Sequence, residues 1–213
     1  MSRSVYSLVL SDDVIRAVDR AAYAMNTSRS NLINQILAEY VSYTTPEKRM
    51  KDIFDSLTTM IGRSEPFLIQ NQGSDALLNI RSPLQVKYNP TIKYTVELFR
   101  DRESSVGELR IMTRTQSAAL LEQLEEFFLL FCTIETAYSR IPPQYQIGRG
   151  KFIRKFILKD PTMNSDEIGA AIGRYIQCID RALKAYLNVP AHQRQSAVEE
   201  IYRAYLNEAP AEL

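Results

Sequence analysis

The sequence lacks several features on which whole classes of protein depend. Its 213 residues include no tryptophan, one histidine and two cysteines, Cys132 and Cys178. Two cysteines are too few for a disulfide framework or a four-ligand zinc site, so we expect reduced thiols. The longest apolar run, 127–132, is far shorter than the roughly 20 residues that a membrane helix needs. The N-terminus has no apolar signal-peptide core, and we therefore expect a cytoplasmic protein without a membrane partner.

Residues with obvious catalytic or cofactor chemistry are also scarce. His192, the one histidine, has no cysteine or histidine at ligand spacing, so we predict no metal site. The segment Gly148-Arg149-Gly150-Lys151 fails both the P-loop and the dinucleotide-binding templates, because the residues around it do not match. We therefore predict no catalytic residues and no cofactor, and a protein that is not an enzyme.

Charge is balanced overall, with 26 basic and 25 acidic side chains, so a preference for polyanions has to come from local clusters. One basic cluster follows residue 148, and Lys151 to Leu158 is interpreted as a short basic helix with lysines four residues apart. It is a candidate for secondary phosphate contacts or for an anionic effector site, the ordinary alternative being a solvated face. The residues of this candidate site are Arg149, Lys151, Lys155 and Lys159.

The first 45 residues carry the clearest pattern of elements. Val5 to Leu10 is a run of strand-forming residues, and Ser11 is placed to cap a helix that ends near Asn26. Ser28 is placed to cap a second helix, which runs to about Val41. The predicted order is strand, helix, helix.

A single short strand cannot be stable alone, because its backbone donors and acceptors need a neighbour. No second strand is predicted within the first 60 residues, so the simplest partner is the same strand of a second chain. The resulting two-stranded antiparallel ribbon is one of the few elements that fits the major groove of double-stranded DNA. We therefore predict a homodimer formed through the N-terminal strand.

The segment from Val5 to Val14, together with Asn26 to Ile33, resembles the ribbon-helix-helix DNA-binding family of the Arc, MetJ and CopG type. The resemblance covers about residues 3–45. It implies that alternate strand residues face the groove and read bases, while Leu8 and Leu10 face inward. It also implies that the N-terminus of the second helix binds phosphate, as the free N–H groups of a helix start favour. The implied base-reading residues are Arg3, Val5, Ser7 and Val9, and the implied phosphate-binding residues are Ser28, Arg29, Ser30 and Asn31.

Beyond residue 45 the pattern becomes mixed. A helix is predicted from Pro46 to Gly62, followed by strands that include a hairpin of 92–100 with 108–115. A strongly apolar helix then begins near Ser117, and two further helices begin near Ser165 and Pro190. The predicted fold class is α+β and mostly helical, with a ribbon-helix-helix unit over 1–45, a connecting helix over 46–64 and an α+β domain over 65–213.

These observations favour a dimeric, sequence-reading DNA-binding protein, a transcriptional regulator such as a repressor. The C-terminal domain would then serve higher oligomerisation, sensing or binding of a partner protein. The alternatives are a DNA-processing accessory protein or an antitoxin-type protein of a mobile element. A further alternative is an interaction protein that uses the ribbon only to dimerise, which the apolar Val5 and Val9 would suit. An enzyme in the C-terminal half ranks third.

Overall fold

The computed structural model describes residues 7–63, 66–70, 74–84, 90–100 and 105–208. The chain divides into two compact units, Met1–Arg49 and Met50–Leu213, called here the N-terminal and C-terminal units. Six α-helices and a six-stranded antiparallel sheet are formed by the described residues. The broad prediction of an α+β chain that is mostly helical is confirmed.

Two helices make up the described part of the N-terminal unit. Helix α1 spans Asp12–Ala24 and helix α2 spans Arg29–Tyr40. The turn between them depends on Asn26, whose φ of 49° lies in the left-handed region that asparagine tolerates. Both helices match the predicted boundaries to within a residue or two. The predicted strand falls partly on Val5 and Tyr6, which lie outside the described residues, and Ser7 to Leu10 form neither helix nor strand within this chain.

The C-terminal unit is built on one six-stranded sheet, whose strands differ in length. Its strands are β1 (Leu68–Gln70), β2 (Leu77–Pro83), β3 (Thr91–Leu98), β4 (Gly107–Thr113), β5 (Tyr145–Gly148) and β6 (Lys151–Phe156). They lie in the order β1-β2-β3-β4-β6-β5, and all neighbouring pairs are antiparallel. The central hairpin of β3 and β4 agrees with the predicted hairpin, while β1 and β5 are short strands that the sequence did not predict.

The predicted basic helix over Lys151 to Leu158 is wrong, because this segment is strand β6. Phe152, Arg154 and Phe156 point into the core, whereas Lys151 and Lys155 are exposed. Buried and exposed side chains therefore alternate with a period of two residues, as expected for a strand with one covered face, and not with the 3.6-residue period of a helix. Pairing with β4 on one side and β5 on the other satisfies the backbone of β6.

Helices cover one face of the sheet and leave the other open. The buried residues of α4 are mainly aromatic and aliphatic, and the Phe128 ring stacks on the Phe152 ring of β6 with centroids 4.8 Å apart. The strongly apolar helix predicted from near Ser117 therefore lies in the core of this unit. The helices of this unit are α3 (Pro46–Gly62, of which Met50 onward belongs to the unit), α4 (Ala118–Tyr138), α5 (Ser165–Asn188) and α6 (Arg194–Glu208), with a short 3-10 turn at Ala191–Gln193 before α6.

Helix α3 packs tightly against α5 and does not stand apart from the C-terminal unit. A Cβ atom at Gly169 would lie 2.4 Å from the carbonyl oxygen of Ile53, and one at Gly173 would lie 2.8 Å from the Met60 side chain. Glycine at these two positions therefore lets the helices approach closely. The buried face of α3 contributes Ile53, Leu57 and Ile61 to the core of this unit.

Candidate nucleic-acid interface

The four base-reading candidates differ in what the structure says of them. Arg3 and Val5 lie outside the described residues. Ser7 and Val9 are exposed, Val9 completely. Leu8 and Leu10, predicted to face inward, are also exposed, and no described residue pairs with their backbone in a strand ladder. The predicted two-chain ribbon is therefore neither formed nor contradicted within a single chain.

The start of α2 has the geometry of a capped helix. The Ser28 hydroxyl accepts a hydrogen bond from the backbone N–H of Asn31 at 3.2 Å, and the Asn31 side chain donates to Thr27 at 2.8 Å. Ser30 is exposed beside them. The N–H groups of the first helical residues, Arg29 and Ser30, have no acceptor within the helix, as at any helix start. Such groups, together with the helix dipole, favour an anion.

Arg29 is not a free cation in this structure. Its guanidinium donates two hydrogen bonds, each of 2.6 Å, to the two carboxylate oxygens of Asp19 on α1. The hydrogen bond and the charge of Asp19 raise the pKa of Arg29. Both side chains are about half exposed, so solvent screening makes this a weak pair. A phosphate would have to compete with Asp19 for Arg29.

The four basic residues predicted as secondary phosphate contacts are separated by the strand geometry of β6. Lys151 and Lys155 lie on the open face of the sheet, and Arg149 lies in the two-residue turn between β5 and β6. Lys159 follows the strand and is half-buried. Arg154, in the middle of the same basic run, points to the opposite face and is 4% exposed.

Arg154 belongs to a buried ion pair that the sequence did not reveal. Its guanidinium donates to one carboxylate oxygen of Glu135 from two nitrogens, at 2.9 and 2.7 Å, and the Tyr175 hydroxyl donates to the other oxygen at 3.0 Å. The guanidinium also lies 4.4 Å from the centroid of the Tyr175 ring. The Glu135 carboxylate thus has both oxygens satisfied, as a buried charge requires. Glu135 is 1% exposed, so this carboxylate belongs to the core and not to a solvated face of α4.

A second polar cluster joins α5 to the other half of the sheet. Lys184 donates to Asp180 and to Ser82, both at 2.7 Å, and the Tyr94 hydroxyl donates to Asp180 at 2.8 Å. A serine beside a lysine can serve as nucleophile and base when the lysine is neutral. Here Lys184 forms an ion pair with Asp180, and Ser82 is fully buried. This arrangement favours a structural role, in which the cluster holds α5 against β2 and β3.

The cysteines and the histidine show no reactive environment. Burial, followed by the charge of Glu135, raises the pKa of Cys132 to about 12, so this thiol stays protonated at neutral pH. Burial also raises the pKa of Cys178. His192 is exposed in the 3-10 turn. Within the described ranges, no group of three or more histidine, cysteine or carboxylate side chains could hold a metal ion, and no helix could span a membrane.

Comparisons of this chain with protein-family models, with curated proteins and with solved structures found no match.

Proposed function

We propose that the chain is a dimeric DNA-binding regulator, whose N-terminal strands pair between two subunits and enter the major groove as a ribbon. The observation that carries this proposal is the poor core of the N-terminal unit. Among its described residues only three hydrophobic side chains are buried, Ala22, Leu32 and Ala38. A unit of this size needs a larger core or a second chain to be stable.

Large apolar side chains of the same unit are left exposed in the single chain. They come from the strand segment, from both helices and from the residues that follow α2, as expected for a surface that a second copy covers. Isolated exposed apolar residues are common, but a concentration of this kind marks an interface. The exposed side chains are Leu8, Val9, Leu10, Val14, Tyr23, Met25, Ile36, Leu37, Tyr40, Val41 and Tyr43.

The start of α2 supports the DNA part of the proposal. The cap formed by Ser28, the exposed Ser30 and the guanidinium of Arg29 lie at one helix N-terminus. Exchange of Asp19 for a DNA phosphate would keep Arg29 paired, and the exposed ion pair that it replaces is weak because solvent screens it. Phosphate contacts of this kind fix a protein on the duplex, while residues of the ribbon select the sequence.

Two observations favour the alternative in which the ribbon serves only for dimerisation. Val9 is apolar and fully exposed, and Asp19 neutralises Arg29. An interaction protein would use the same dimer without reading DNA, and the C-terminal unit would then carry the function. A measurement of DNA binding distinguishes the two, because only the regulator would bind a duplex.

Fluorescence anisotropy of the full-length chain with labelled duplex DNA tests the proposal. We expect the logarithm of the binding constant to fall linearly with the logarithm of salt concentration, with a slope of about −0.9 per phosphate contact. Selection from a random duplex library should then enrich particular sequences, and Ser7→Ala should change which sequences are enriched. Absence of binding to any duplex at low salt would overturn the proposal. Binding without any sequence preference would favour the DNA-processing accessory protein instead.

A further inference from the structure

The open face of the sheet gathers basic side chains from four separate parts of the sequence. At the edge where β2 and β4 end and β3 and β6 begin, Arg81 lies opposite Lys93, and Lys93 is separated from Lys151 only by Met112. Arg114, one residue beyond β4, and Arg149, in the turn before β6, are exposed at the same edge. We call the five residues Arg81, Lys93, Arg114, Arg149 and Lys151 the basic edge.

The basic edge lacks the acidic partners that neutralise other cations of this face. No carboxylate among the described residues forms an ion pair with any of its five members. Arg110, in the middle of β4 on the same face, is held by Glu97 and Glu108, which lie towards the opposite end of the strands. Charge on the open face is therefore segregated along the strands.

Unpaired like charges at opposed positions of neighbouring strands destabilise a sheet. Arg81 and Lys93 occupy such positions, and Lys151 continues the row two strands further on. With neighbouring strands about 4.8 Å apart, the row from Arg81 to Lys151 is about 14 Å long. A ligand that carries several negative charges in a line would relieve the repulsion along the whole row.

We infer that the basic edge is a second DNA-binding surface, which contacts the phosphate backbone outside the footprint of the ribbon. The inference rests on the proposed function, because that function makes duplex DNA the polyanion available to this chain. One strand of a duplex carries a charge about every 3.4 Å along the axis, so a row of this length matches several consecutive phosphates. The row across the four strands consists of Arg81, Lys93, Met112 and Lys151, none of which is aromatic. This composition favours contact with the phosphate backbone over stacking on bases.

The test compares two double variants of the full-length chain that lose the same charge. Lys93→Gln with Lys151→Gln removes the centre of the basic edge. Lys51→Gln with Arg181→Gln is the matched control, because Lys51 and Arg181 are exposed on helices α3 and α5 of the covering layer. Anisotropy titrations with generic duplex DNA at several salt concentrations give the slope for each variant. Circular dichroism and thermal unfolding of both variants establish that they retain the fold.

We expect the basic-edge variant to lower affinity for every duplex alike and to reduce the salt slope by about two per subunit, one for each lost phosphate contact. The control variant should keep the slope of the parent. If the parent binds DNA and the basic-edge variant binds with the same slope, the inference is overturned while the proposed function stands. If the parent binds no duplex, both are overturned. Equal binding of the parent to polyglutamate would also overturn the inference, because it would identify an acidic protein as the partner.

Discussion

Arg29 shows at the scale of a single residue how a candidate DNA contact is held in the free chain. Its bidentate contact with Asp19 orients the guanidinium near the start of α2. The same contact opposes phosphate binding, because the carboxylate occupies the donors that a phosphate would use. Under the proposed function, Asp19 would therefore compete with a DNA phosphate even though it positions the arginine.

This competition predicts opposite effects for two substitutions. Arg29→Ala should weaken binding to all DNA sequences alike and reduce the salt slope by about one per subunit. Asp19→Asn should strengthen binding, because an amide does not compete for the guanidinium as a charged group does. Anisotropy titrations of both variants measure these changes. An unchanged slope for Arg29→Ala would show that Arg29 contacts no phosphate.

Individual residues also show which local features can be predicted from sequence patterns and which cannot. The caps at Ser28 and Ser117 and the left-handed Asn26 were predictable, because each depends on a few adjacent residues. The pairing of Arg154 with Glu135 was not, since the partners lie on different elements and meet only in the folded core. Similarly, the basic edge joins residues that are distant in the chain, and the register of the strands alone reveals it.

Among the elements, α4 joins the helical layer to the sheet through aromatic packing. Phe128 is 2% exposed and stacks on Phe152 of β6, so it connects the helix directly to the sheet. The next residue, Leu129, is 55% exposed. The two positions therefore allow a comparison of buried and exposed apolar side chains within one turn of the same helix.

We expect Phe128→Ala to lower the free energy of unfolding by about 3–5 kcal/mol, because it leaves a cavity against Phe152. The matched variant Leu129→Ala should change it by no more than about 0.5 kcal/mol. Urea unfolding of the two variants provides the values, and light scattering reports the oligomeric state. A large loss of association with unchanged stability for Phe128→Ala would place the ring in a subunit interface instead.

The close approach of α3 and α5 gives a second prediction at this scale. Gly169→Ala would place its Cβ atom 2.4 Å from the carbonyl oxygen of Ile53, and backbone on both sides would have to shift. Gly148→Ala is the control, since a Cβ atom there would meet nothing within 4 Å. We expect the Gly169 variant alone to lose stability, by about 1–3 kcal/mol as for other overpacked sites, in thermal unfolding measurements. Equal stability of the two variants would mean that α3 does not pack on α5 as described.

The elements that sequence patterns missed share a physical reason. Strands β1 and β5 have three and four residues, too few for an alternation to be recognised. In β6 the lysines are four residues apart and the phenylalanines also are, so the segment matched a helical spacing as well as a strand. The segment forms a strand because β4 and β5 supply backbone hydrogen-bonding partners on both sides.

At the scale of the whole molecule, the two units differ in how complete they are as single chains. The C-terminal unit has an extensive core that includes the sheet and the helices packed on it. The N-terminal unit buries three hydrophobic side chains among its described residues and exposes many more. We therefore expect the C-terminal unit to fold within one chain and the N-terminal unit to depend on a second copy.

Sedimentation equilibrium of the isolated segment 1–46, with circular dichroism at the same concentrations, measures whether the N-terminal unit folds only as a dimer. Pairing of two strands and burial of the exposed apolar side chains should make folding and dimerisation one process. We expect a helical dimer at high concentration, whose helix signal is lost as dilution produces monomer. A folded monomer at micromolar concentration would contradict the two-chain ribbon, and with it the proposed mode of DNA binding.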